Sequence, residues 1–174
     1  MHLPWRDISP IPGNRGIFTS LLDEEAEELR TQATGKNVME VGVAYGFSTS
    51  VLASTAAHVT SVDLFPPICS YPQWDNNVIE QGIRDKVTVV EGDSTVMLPQ
   101  LTDKFDFIFI DGEHAFDGVT ADARNSLPLL KPGGTIMFHD YHEYCCCPDV
   151  KPALDALFPE GLRTVGSSVL YTVK

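Results

Sequence analysis

A chain of 174 residues has room for one domain with one sizeable core and is short for two, so a single domain over 1–174 is expected. Its 43% apolar and 21% charged residues exclude a disordered chain, and no apolar run approaches the ~18 residues that span a bilayer. A net charge of −12, from 12 basic against 24 acidic residues, speaks against nucleic acid and anionic membrane as main partners, although acidity also serves plain solubility.

Residues 1–18 carry Pro4, Pro10, Pro12, Gly13 and Gly16 and read as an irregular lead-in. The start, MHLPWRDISP, has no basic stretch followed by an apolar one, so no secretory signal is read and the cytoplasm is the expected compartment. Ser20-x-x-Asp23 resembles a capping box ahead of Leu22, Ala26 and Leu29 at helical spacing, with Gly35 as the stop.

From there strands and helices alternate. Strands are predicted at 38–42, 59–63, 86–92, 105–111 and 134–140, and helices at 48–57, 73–82, 94–101 and 150–158. Val119, Ala123, Leu127 and Leu130 give another helical stripe, disturbed in its last turn by Pro128. RTVG and SSVLYTV at the end read as a hairpin turning at Gly166 and Ser167. Short apolar strands separated by helices imply an α/β fold. The expected sheet is doubly wound and seven-stranded, mostly parallel and covered on both faces, with a C-terminal antiparallel hairpin. Ligands then bind beyond the carboxyl ends of the strands, where every motif below falls.

EVGVAYGFS (40–48) joins a strand to a helix. Gly42 and Gly46 clear side chains where a ligand must approach, and Ser48 lies near a helix N-terminus that can receive a carboxylate. Asp63 ends the next strand about 20 residues further on, where an acid can take ribose hydroxyls. In EGDS (91–94), Asp93 and Ser94 border an adenine edge, or Ser94 caps the following helix; the two readings are compatible. Asp111 emerges from an apolar strand in IDGEHAFDG (110–118), with His114 in the same loop. His139 and Asp140 end the fifth strand in FHDY (138–141). Were the fourth and fifth strands adjacent, Asp111, His139 and Asp140 would converge on one divalent ion, magnesium or manganese; otherwise His139 and Asp140 shape a loop or the substrate pocket. Cys69 and the run Cys145, Cys146, Cys147 show no CxxC spacing and read as free thiols rather than a zinc or redox site.

EVGVAYGFS, SVDLF, VVEGDSTVMLPQL, FIFIDGEHAFDGVTAD and LKPGGTIMFHDY, in this order over residues 20 to 158, resemble the class I (Rossmann-like) S-adenosylmethionine-dependent methyltransferases. More narrowly, they are similar to small metal-dependent O-methyltransferases of the catechol and the macrocin or sugar type. The resemblance implies S-adenosylmethionine as cofactor. Gly42, Tyr45, Gly46 and Ser48 would lie about its methionine part, with Glu40 in the same motif. Asp63 and Leu64 would hold ribose and adenine, Asp93 and Ser94 would border the adenine, and Asp111 would face the amino group and the metal. Asp111, His139 and Asp140 match the metal-ligand positions, although the second is more often Asp. His114 stands where catechol-type relatives carry a lysine base, so it is either the base or a loop histidine that packs. The acceptor is expected to be a small-molecule hydroxyl. The usual N-terminal substrate cap is short here. The substrate site is open, or is completed by 1–18, by YHEYCCCPD (141–149) or by a second subunit in a homo-oligomer.

Two rivals remain at this point. A nicotinamide-dependent oxidoreductase is disfavoured because Gly42 and Gly46 are four apart and the full GxGxxG is missing. A cofactor-binding protein without catalysis, or one that works without metal, is the other.

Overall fold

The computed structural model describes residues 6–8, 17–142 and 147–173. Its core is a seven-stranded sheet of β3 (Asn37–Val41), β4 (His58–Asp63), β5 (Val87–Glu91), β6 (Phe105–Ile110), β7 (Leu130–Phe138), β8 (Arg163–Val165) and β9 (Ser168–Thr172). Their order across the sheet is β5-β4-β3-β6-β7-β9-β8. Five run parallel, and β9 is antiparallel to β7 and β8. This is the doubly wound, mostly parallel sheet with a terminal hairpin that the alternation implies. A separate ribbon pairs β1 (Arg6–Ile8) with β2 (Ile17–Thr19), which corrects the reading of 1–18 as wholly irregular. Proline and glycine between two short extended runs mark a ribbon's loop as readily as a lead-in. The rest of that stretch lies outside the described residues.

Period-two alternation splits the core into two layers. Val38, Phe107, Phe109 and Met137 face α1 (Asp23–Ala33), α2 (Phe47–Thr55) and α3 (Tyr71–Glu80). Met39, Val41, Ile108, Ile110, Ile136 and Phe138 face the other side, which carries α5 (Phe116–Ser126) and α6 (Val150–Leu157). A short α4 (Ser94–Met97) follows β5. As Pro128 requires, α5 stops at Ser126 and the next three residues tighten into a 3₁₀ turn. The Ser20 capping box does not form: α1 starts at Asp23, and the Glu25 carboxylate reaches back to accept the Leu22 amide at 2.7 Å. Among the described residues no helix is long and apolar enough to cross a membrane.

Parallel register then builds one edge. Val41 pairs with Ile110, and Ile110 with Phe138. The next amides continue the ladder: Asp111 donates to the Val41 carbonyl at 2.8 Å and His139 to that of Ile110 at 3.0 Å. Gly42, Asp111 and His139 are thereby set in a row at the strands' carboxyl ends.

Candidate functional site

A cleft of about 650 Å³ opens along that edge, a size usual for small-molecule sites. Gly42 borders its middle at φ +83°, where a β-carbon would stand 2.1 Å from the Asp111 carbonyl oxygen. Only glycine fits there. Ala44, Phe65 and Asp140 also adopt left-handed φ values of 43°, 50° and 57°. All three lie in loops at this one edge, where strain of ~1–3 kcal/mol per residue is tolerated when the surroundings hold it.

At one end Asp63 turns its carboxylate to the backbone. It accepts the Val43 amide at 2.7 Å and the Phe65 amide at 2.5 Å, so it braces the glycine turn as it lines the cleft. Leu64 is 63% exposed at the mouth, an apolar surface free for a flat ring. Asp93, not Ser94, caps α4 by accepting the Thr95 amide at 2.9 Å. Ser94 instead donates to the buried Asp122 on α5 at 2.6 Å, which ties α4 to α5. Both Asp93 and Ser94 line the cleft. Burial pushes the Asp122 carboxyl above its ordinary range, against the hydrogen bond from Ser94.

Glu40, Tyr45, Gly46 and Ser48 lie behind this wall rather than on it. Glu40 is fully buried and takes hydrogen bonds from Thr49 at 2.6 Å and Ser61 at 3.1 Å, while its other oxygen finds no partner. Burial raises its carboxyl to about 7, opposed in part by Ser48, Thr49 and Ser61. Ser48 is turned inward toward it. Gly46 caps α2 at φ +89° against Trp74, and Tyr45 packs on the core beside Cys69.

The other end is built from imidazoles and carboxylates. His139 Nδ1 lies 3.3 Å from Asp111 Oδ1 and 3.3 Å from Asp140 Oδ2, in line for a hydrogen bond with neither. His114 Nε2 lies 3.1 Å from Asp140 Oδ2 and 3.6 Å from Asp111 Oδ1. Asp111 and His114 line the cleft, and His139 sits just behind with its side chain 2% exposed. Burial would raise the Asp111 and Asp140 carboxyls, but the two histidines outweigh it and hold both below the usual carboxylate range. Conversely, hydrogen bonding to Asp111 and Asp140 pushes His114 up to about 10. Burial would lower His139, yet Asp111, Asp140 and Glu25 lift it well above its ordinary value.

Three participants escape the sequence reading. Cys147 is buried and donates to Asp140 at 3.6 Å; Cys145 and Cys146 lie outside the described residues. Asp122 holds Ser94. Glu25, fully buried on α1, stands 3.5 Å from His139 Nε2. Its signal was present, since Glu25 falls on the buried stripe of Ala26, Leu29 and Ala33, where an acid is out of place.

A family model described as a methyltransferase domain matches residues 39–141, more than half of the chain, from β3 to just past the histidine end of the site. The chain belongs to this methyltransferase family. The methyltransferase shares 34% identity over 61 residues with "Uncharacterized protein R132" of Acanthamoeba polyphaga mimivirus; that match covers 35% of this chain and 28% of the viral protein. Its fold is that of cofactor-bound Rv0187 from MTB (TM-score 0.72, 24% identity, 88% of this chain and 81% of that one). It is equally that of the O-methyltransferase from Bacillus cereus in complex with SAH (TM-score 0.68, 24% identity, 89% and 83%). The methyltransferase NovP superposes with TM-score 0.74 at 17% identity over 87% and 80%. The sequence-level resemblance to class I methyltransferases is thus borne out for family and fold.

Proposed function

We propose that this methyltransferase transfers a methyl group from S-adenosylmethionine to the hydroxyl of a small molecule. The observation that carries the reading is one cleft joining two unlike ends: carboxylates fixed by backbone amides at Asp63 and Asp93, and imidazoles among carboxylates at Asp111 and Asp140. Asp63 offers its remaining lone pairs to ribose hydroxyls, Leu64 and Ser94 border the adenine, and Gly42 lets the backbone approach the methionine part. Asp111, at the near side of the histidine end, would face the amino group. The cofactor supplies an already activated methyl on a sulfonium, so the protein's work is alignment and handling of the acceptor's proton.

A divalent cation fits the histidine end. The buried His139 Nδ1 has no hydrogen-bond partner and faces two carboxylates whose oxygens lie within 4.8 Å of it and of each other. Asp111, His139 and Asp140 would hold the ion, which would lower the pKa of a bound hydroxyl. His114 stands at the mouth, 40% exposed, where an acceptor enters. It can take a proton only once the charge of Asp111 and Asp140 is otherwise compensated, because those two carboxylates keep it protonated.

That same protonation favours a second reading, in which the His114 and His139 imidazoliums themselves balance the two carboxylates and no metal is needed. One calorimetric and kinetic series separates these. S-adenosylhomocysteine (SAH) binding in the micromolar range is expected with and without chelator, as is turnover on a panel of small hydroxylated acceptors. Under the metal reading, turnover vanishes in EDTA and returns with magnesium or manganese. Full turnover in EDTA establishes the second reading, and no SAH binding by folded protein sinks both.

A further inference from the structure

We propose that Glu25 is the positioning residue of the ion site: it holds the His139 ring with Nε2 toward α1 and Nδ1 toward Asp111 and Asp140. This rests on the metal reading above. Glu25 lies outside the segment that the family model matches, so the assignment comes from this chain's own packing.

Its carboxylate is held at both oxygens. Oε1 accepts the Ser167 amide, the Ser167 hydroxyl and the Ser168 hydroxyl, each at 2.8 Å. Oε2 accepts the Leu22 amide at 2.7 Å and stands 3.5 Å from His139 Nε2. Burying a carboxylate in an apolar stripe is costly unless it is paired, and a helix cap alone would not require full burial. A carboxylate also accepts and never donates. With the ion bound, the imidazole nitrogen facing the Glu25 carboxylate, and facing the Ser167 hydroxyl 3.5 Å away that donates to the same carboxylate, keeps the hydrogen, and the opposite nitrogen presents its lone pair. That opposite nitrogen is the buried, unpartnered Nδ1 aimed at Asp111 and Asp140. Glu25 thus links α1, the β8–β9 turn and His139 through one carboxylate.

The test titrates manganese ion and, separately, SAH into wild-type protein and Glu25→Gln by calorimetry. The ring nitrogens of His139 are read in parallel by ¹⁵N NMR on protein loaded with magnesium, which is diamagnetic. Glu25→Gln keeps the size and removes the charge. Manganese affinity is expected to fall about 10–100-fold, with SAH affinity within threefold and His139 losing its single Nε2–H form. A lowered melting temperature with unchanged manganese affinity and unchanged His139 signals would show a structural residue only and overturn the inference. Wild-type protein that takes up no manganese overturns it together with the metal reading. Should Glu25→Gln not fold, Ser168→Ala removes one anchor of Glu25 and is expected to weaken manganese several-fold in the same pattern; no change there overturns the inference equally.

Discussion

The two ends of the cleft hold their carboxylates by different means. Asp63 leans on the backbone amides of Val43 and Phe65, and Asp93 on the amide and hydroxyl of Thr95, groups that cannot change charge. Asp111 and Asp140 lean on the side chains of His114 and His139, which can exchange protons and reorient. A backbone-held acid is a fixture of the fold and suits recognition of a ligand that is always the same. A side-chain-held acid can trade its partner for a cation or a substrate group, which suits chemistry. Strand register, which sets Gly42, Asp111 and His139 in a row, keeps the two kinds at constant separation.

The sharpest test of that contrast is Asp140→Asn. It should cut turnover by about 10³-fold while leaving SAH affinity within threefold, because it alters the exchangeable end alone. Steady-state kinetics beside calorimetry read this, and equal losses in both would merge the two ends into one. Next comes Glu40→Gln, beneath the fixed end. The Glu40 carboxyl is raised to about 7 from an ordinary 4.5, so its neutral form is the native one. The stability it confers is full below about pH 4.5 and is lost as pH rises through 7. Wild-type protein should therefore weaken between pH 5 and 7 while the variant stays level. The gap at pH 8 would be on the order of 3 kcal/mol by denaturant melts, and parallel profiles would refute it. Smallest is Asp63→Asn, which can satisfy only one of the two amides. SAH affinity should fall about 30-fold, near 2 kcal/mol, with turnover at saturating cofactor within a few-fold. A large loss of saturated turnover would mean that the fixed end also does chemistry.

Much of this is legible in the sequence, because each signal is local. Apolar runs such as FDFIFID end at a polar residue, and that residue must emerge at the sheet's edge, as Asp63, Asp111 and His139 do. The order that makes β6 and β7 neighbours came from resemblance, not from residue pattern. What escaped depends on distant partners. Ser94 could cap a helix by its own sequence context, yet Asp122 claims its hydroxyl across 28 residues. The Asp93 cap is equally local, one residue ahead of the Ser94 that the sequence offers for it. Glu40, Tyr45, Gly46 and Ser48 sit in the expected motif but behind the cleft wall, since alternation turns Glu40 toward α2 and a helical start turns Ser48 inward. Glu25 meets residues 142 positions later, beyond the reach of any window or capping rule.

That last span ties the histidine end to one margin of the sheet. β8 closes the sheet at its edge, and Ser167 and Ser168 at the β8–β9 turn clasp Glu25 behind His139. Sheet margins open at a lower free energy than the central strands. A brief opening of this hairpin would therefore loosen the support behind His139 while β3 to β7, and the backbone-held carboxylate of Asp63 with them, stay in place.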